Sequence, residues 1–289
     1  MSARFFLILL ACFLCLSACR SPLADGDDPT DTLPPASEAG EASATQAETL
    51  TLEGRRYTYT GKAEDISATD NVLTIQKSGI YRLSGSLTDG RLRIAVPQGT
   101  VHLLLDGITI RSSLGAPLDI DAACVILETA EGSVNRLVDA NTSLAEQNED
   151  IAPAACLRAD CRLVLQGSGT LILSGHRRNA LSCTQSVTVE SGSLMLSAPD
   201  TGLWVRDRLL LSGGSVTVTA AARGIVSPQG EMAQGLVVIS GGRLTVSAAE
   251  LAIFAGREIR ISGGVGDLSA PKRYDAKSVV LLSPDFPQK

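Results

Sequence analysis

Few side chains in this 289-residue chain are equipped for chemistry, and that scarcity narrows the choices. Histidine occurs only as His102 and His176, which nearly excludes a His-based metal cluster or a His-dependent triad. Glycoside hydrolysis needs two carboxylates at a set separation, and the acids here are spread singly among apolar residues. Lyase action on a polyuronate needs a basic side chain at the sugar C5 proton. Arg206 and Arg208, flanking Asp207, are the candidates, but they read first as ordinary turn residues. No catalytic residue and no metal ligand is therefore assigned. Binding has better material. Aromatics are only 3% of the chain, yet Trp204 and Phe254 stand near Arg158, Arg206 and Arg223. Aromatic rings offer an apolar face to sugar C–H groups, and arginine offers a planar fork to carboxylates and hydroxyls. These five residues are the candidate carbohydrate-binding set.

What positions them is a repeat. Leu163/Leu165, Val187/Val189, Leu209/Leu211, Val237/Ile239 and Ile259/Ile261 are apolar pairs at period two, offset by 24, 22, 28 and 22 residues. A glycine-bearing turn follows each pair, then a second apolar pair such as Leu194/Leu196 or Val216/Val218. A third short element closes the unit: Leu157/Ala159, Leu181/Cys183, Leu203/Val205, Ile225/Ser227 and Ile253/Ala255. Three short strands per coil of about 22 residues describe a parallel β-helix, all-β, whose coils bury their inward residues only by stacking. Parallel crossovers are right-handed, so the solenoid is expected to be right-handed. The residues after the inward Leu157, Leu181, Leu203, Ile225 and Ile253 then form one outward column: Arg158, Ser182, Trp204, Val226 and Phe254. The extra residues around 230–235 predict a protruding loop, and Asp139 to Pro153 a polar insertion. Leu103/Leu105, Ile108/Ile110, Leu118/Ile120 and Ile126 read as strands of one or two earlier coils. Tyr57 to Ser86 reads as first strands and a cap, and Val279 begins the last strand.

Ahead of the repeat lie two segments of another kind. Residues 1–18 read as a signal peptide: Arg4, then the apolar run Phe5–Leu14, too short to span a bilayer. Leu16-Ser17-Ala18-Cys19 resembles the bacterial lipoprotein box, making Cys19 the expected lipid attachment site and the cell envelope the expected location, at the outer membrane if the cell has two. Residues 19–50 are rich in Ser, Pro, Ala, Gly and acids, and predict a disordered acidic tether. The chain's formal charge of −6 collects there, because residues 51–289 hold 23 bases and 24 acids. The body, residues 51–285 as drawn, is nearly neutral. It lacks the cationic footprint of a nucleic-acid binder, while acidic glycans remain open to it. Of seven cysteines, Cys124, Cys156, Cys161 and Cys183 belong to the body. An even number outside the cytosol permits disulfides without fixing their pairing, and buried thiols are the favoured alternative.

The entry segment Leu73-Thr-Ile-Gln-Lys-Ser-Gly-Ile-Tyr-Arg-Leu-Ser-Gly-Ser-Leu-Thr-Asp89-Gly90 resembles the opening motif of a bacterial family. So do Leu105-Asp-Gly-Ile-Thr-Ile110, Ala130-Glu-Gly-Ser-Val-Asn135 and the Ser-Gly-Gly coils. These are secreted or lipid-anchored carbohydrate-binding-domain-containing β-helix proteins, and the resemblance covers residues 57 to 282. Their best-understood member binds cellulose and acidic plant polysaccharides on a pectate-lyase-like fold. The resemblance implies a polysaccharide partner and calcium held by surface acids, with an Asp-Gly-Ile-like triplet opening each third strand. Here the matching triplets begin with Ala155, Asn179, Thr201, Arg223 and Leu251, none an Asp. No cofactor is therefore expected from this column, although acids elsewhere could rebuild the calcium site that the resemblance implies. The reading is a non-catalytic, polysaccharide-binding envelope lipoprotein. The alternatives are a lyase for acidic glycans and a structural module that packs on another protein.

Overall fold

The computed structural model describes residues 47–141, 154–230 and 233–288. The signal segment, Cys19, nearly all of the acidic tether and most of the Asp139–Pro153 insertion lie outside the described residues. The described body is a parallel β-helix of about eight turns. All strand pairs between coils are parallel; antiparallel pairing is confined to three local hairpins, Glu48–Gly54 with Arg56–Tyr59, Ile66–Thr69 with Val72–Ile75, and Gln229–Gly230 with Ala233–Gln234. The first strand starts at Glu48, so the body takes in the last three residues of the stretch drawn as tether.

Each coil contributes one strand to each of three faces. The first face stacks Leu165, Val189, Leu211, Ile239 and Ile261 in register. The second stacks Leu173, Leu196, Val218, Val246 and Leu268. The third stacks Leu157, Leu181, Leu203, Ile225 and Ile253. All of these residues are buried, and together they form one continuous core. Alternation at period two sends their neighbours outward. Three rungs precede Leu157 on the third face, at Leu73, Leu92 and Leu118, the first of them within the stretch read as first strands and cap. Ile126 points outward, between the buried Val125 and Leu127.

A local irregularity on the third face explains the triplets. The residue before each inward Leu or Ile also turns inward, so two consecutive side chains face the core. A Cβ built on Gly202 would lie 2.1 Å from Val218 Cγ1, and one on Gly224 would lie 2.3 Å from Val246 Cγ1. Only a very small residue fits there, which is why the column reads Cys156, Ala180, Gly202, Gly224, Ala252.

Burial of an inward polar residue is matched by full hydrogen bonding at Asn135. Asn135 stacks among the second face's leucines, yet its Oδ1 accepts from the amides of Gly107 (2.9 Å) and Ile108 (3.1 Å). Its Nδ2 donates to Ser133 Oγ and the Thr170 carbonyl. It therefore ties three successive coils together at the turn, and full pairing is what makes its burial tolerable. The four body cysteines are free thiols; Cys156, Cys161 and Cys183 are buried. Burial pushes the Cys156 and Cys183 thiols up to about 12.

Both ends of the stack are covered, as an open solenoid edge requires. At the start, Tyr59 stacks on the buried Tyr81 with ring centroids 6.3 Å apart. At the finish, the strand Lys272–Leu281 is followed by a return in which Phe286 lies over Gly266, and Tyr274 Oη donates to the Pro287 carbonyl at 2.7 Å. Gly266 occupies a position filled by Leu244 one coil earlier; its missing side chain is the space the Phe286 ring enters. The 230–235 insertion is the small hairpin named above, and its base presses on Gly256.

Candidate functional site

The third face aligns its outward residues in a single ladder. Strand register places Arg93, Asp119, Arg158, Ser182, Trp204, Val226, Phe254 and Asp275 on successive rungs. Arg158, Trp204 and Phe254 are thus each two rungs apart. At roughly 4.8 Å per rung, the separation is about 9.6 Å for each step and about 19 Å in all. The residues between them are short and sunk: Ser182 is 0% exposed and Val226 4%. Trp204 and Phe254 are half-buried, each with part of its surface facing solvent. The face is therefore corrugated, with a raised guanidinium and two raised rings alternating with low points. That period is close to the repeat of an extended β-linked disaccharide, in which every second sugar presents the same face.

Charge along the ladder is mostly committed. Arg158 Nη2 lies 2.6 Å from Asp119 Oδ1, and Arg91 Nη2 lies 3.0 Å from Asp119 Oδ2. Asp119 is buried, so two arginines hold one shielded carboxylate, and Arg158 spends both Nε and Nη2 on it. Arg223 and Arg178 share Asp200 in the same manner, at 3.4 and 3.1 Å. Arg223 opens a third-face strand, whereas Arg206 follows the end of one. The structure thus brings Arg158, Trp204 and Phe254 into line and places Arg206 and Arg223 at opposite strand ends, beside the line. Sequence reasoning missed Asp119 and Arg91, whose role depends on pairing across an insertion. Arg208 stands at the head of a first-face strand rather than on the third face.

The calcium that the resemblance implies does not fit the triplet column. Calcium takes six to eight oxygens, several from carboxylates. The column supplies Asn179 and Thr201 beside Ala155 and Leu251, and Arg223 adds a cation in the middle. Among the described residues no group of three or more His, Cys, Asp or Glu side chains gathers as a metal set.

A second feature is a wide hollow of about 740 Å³, where the last coils pass from the second face to the third. Its floor is Ala220, Ala248 and Ala270, with Ser247, Asp267, Ser269 and Arg273 around it. It holds no aromatic residue, and its openness leaves a ligand mostly in water.

Residues 69–279 match the family model described as carbohydrate-binding domain-containing protein. A protein of that description from Acetivibrio thermocellus is 30% identical over 137 residues, which cover 47% of this chain and 48% of the relative. The chain thus spans about half the length of the curated relative it matches. A solved structure described as the polysaccharide lyase-like protein from C. thermocellum superposes with a TM-score of 0.77 at 24% identity, covering 84% of this chain and 100% of that one. This second likeness is one of fold.

Proposed function

The chain belongs to the carbohydrate-binding domain-containing family, and from that premise we propose that it binds polysaccharide along its third face without cleaving it. The observation that carries this reading is the even two-rung spacing of Arg158, Trp204 and Phe254. A rigid sheet fixes the spacing in advance, so little ordering entropy opposes binding of an extended chain. Rings at Trp204 and Phe254 meet alternate sugars, and Arg158 meets a hydroxyl or carboxylate of the next. Acidic glycans suit the face because Arg91 and Arg158 share the single carboxylate of Asp119 and leave net positive charge at that end of the ladder. Of the two residues that would serve a lyase, Arg208 heads a first-face strand and does not share this face, which supports a non-catalytic role.

The N-terminal sequence supports an envelope lipoprotein held through acylated Cys19, with the acidic segment as its tether. Cys19→Ala is expected to move the protein out of the membrane fraction; its retention there would refute the anchor. A glycan array with and without chelator tests the binding role. Signals on extended glycans, unchanged by chelator and lost in Trp204→Ala, are expected. A rise in ultraviolet absorbance from unsaturated uronate products would instead establish a lyase, and an empty array would favour a protein-interaction module.

A further inference from the structure

At the N-terminal end two hairpin turns face each other across a hollow of about 150 Å³. One turn contributes Arg55, Arg56 and Tyr57; the other contributes Asp70 and Asn71; Asp89 closes the side. The two arginines differ from those of the third face in being uncommitted. Arg55 and Arg56 are exposed and make no ion pair among the described residues, whereas Arg91, Arg158, Arg178 and Arg223 are each held on an aspartate. Tyr57 is 37% exposed, more than any other aromatic among the described residues.

The second turn is unusual in its residues. Asp70 and Asn71 both adopt positive φ, 48° and 65°. A two-residue turn of this hand favours glycine at its second position. Here both positions keep side chains with hydrogen-bonding groups, at some conformational cost, and both line the hollow. Asp89 is fixed by the amide and hydroxyl of Ser113 at 2.9 and 2.8 Å, and those bonds hold its carboxyl below the usual range. It therefore stays a charged acceptor.

At about 150 Å³ the hollow is smaller than the roughly 300 Å³ or more of sites for larger ligands, which suits one sugar ring rather than several. Resting on the carbohydrate reading above, we infer that this cap hollow binds the terminal hexuronate of an acidic glycan. Tyr57 covers a C–H face of the ring, Arg55 and Arg56 take the carboxylate, and Asp70, Asn71 and Asp89 take hydroxyls. The third face would hold the chain and the cap its end.

The test uses the full chain with glucuronate monosaccharide, glucose and inorganic phosphate as separate probes in calorimetry. Saturable glucuronate binding is expected, weakened at least about tenfold in Arg55→Ala/Arg56→Ala and unchanged in Met195→Ala, an exposed second-face residue. Both arginines are exposed, so an unchanged melting temperature in the double variant shows that the fold is kept. Three results overturn the inference: no glucuronate binding, glucuronate binding indifferent to the double variant, or phosphate competing as strongly as glucuronate. In each case polymer binding lost in Trp204→Ala leaves the third-face reading standing. Polymer binding indifferent to Trp204→Ala removes that reading instead.

Discussion

Gly202→Ala tests the packing that holds Trp204 in place. The added methyl would sit 2.1 Å from Val218 Cγ1 and 3.0 Å from the Gly224 carbonyl oxygen, where contacts under 3.0 Å essentially never occur. Val218 is fully buried on the opposite face, so neither strand yields without moving its neighbours. Overpacking of this size costs about 1–3 kcal/mol, or about 2–9 °C in melting temperature for a body of this length. Val218→Ala removes the clashing carbon and by itself costs about 1–2 kcal/mol for two lost buried methyls. The double variant Gly202→Ala/Val218→Ala should be less destabilised than the sum of the singles by about 1–3 kcal/mol. Urea unfolding followed by Trp204 fluorescence measures all four proteins and reports on the ring's surroundings as well. Additive costs would show that the two inward positions do not meet, and would refute the inward placement of the residue before each third-face Leu or Ile.

Three further outcomes follow from particular side chains. Asp139 is fully buried with its Oδ2 unpartnered, and desolvation raises its carboxyl above the usual range. Its ionisation opposes folding, so stability is lost as pH rises through the raised folded value. Asp139→Asn should therefore gain about 1–3 kcal/mol near neutral pH, with the gain gone below the ordinary carboxylate range; calorimetric melts across pH check it. Burial suppresses the thiolates of Cys156, Cys161 and Cys183, so a thiol reagent near pH 8 should modify Cys124 first among the four, and the others only on unfolding. Arg158→Ala should weaken acidic glycans about 5–10-fold while leaving neutral ones nearly unchanged, as read by calorimetry at two ionic strengths.

The β-helix was legible because each coil from Leu157 onward advertises itself with period-two pairs and a glycine turn. The aromatic column followed directly, since register is set by which residues face inward. Upstream the pattern is obscured. The strand Arg91–Ser112 runs 22 residues around its corners with no Gly-Gly punctuation, so its rungs merge into one apolar stretch. The link between Arg158 and Asp119 was hidden for another reason: 39 residues and an insertion separate two side chains that the stack makes neighbours. The cap hollow joins two hairpin turns distant in sequence, and neither turn announces a site by itself. Phe286 reads as a tail residue and becomes a plug only through the absence of a side chain at Gly266.

Binding of an extended polysaccharide along the Trp204–Phe254 ladder is read from the dissociation constant, for the glycan with the strongest array signal, of the wild type, Trp204→Ala, Phe254→Ala and Met195→Ala. Met195 lies exposed on the second face and serves as the control. Truncating a ring that anchors a ligand costs about 2 kcal/mol, or roughly 30-fold. Losses of that order are expected for Trp204→Ala and Phe254→Ala and none for Met195→Ala. Wild-type affinity in both ring variants, with their melting temperatures unchanged, would show that the ladder is not the binding face.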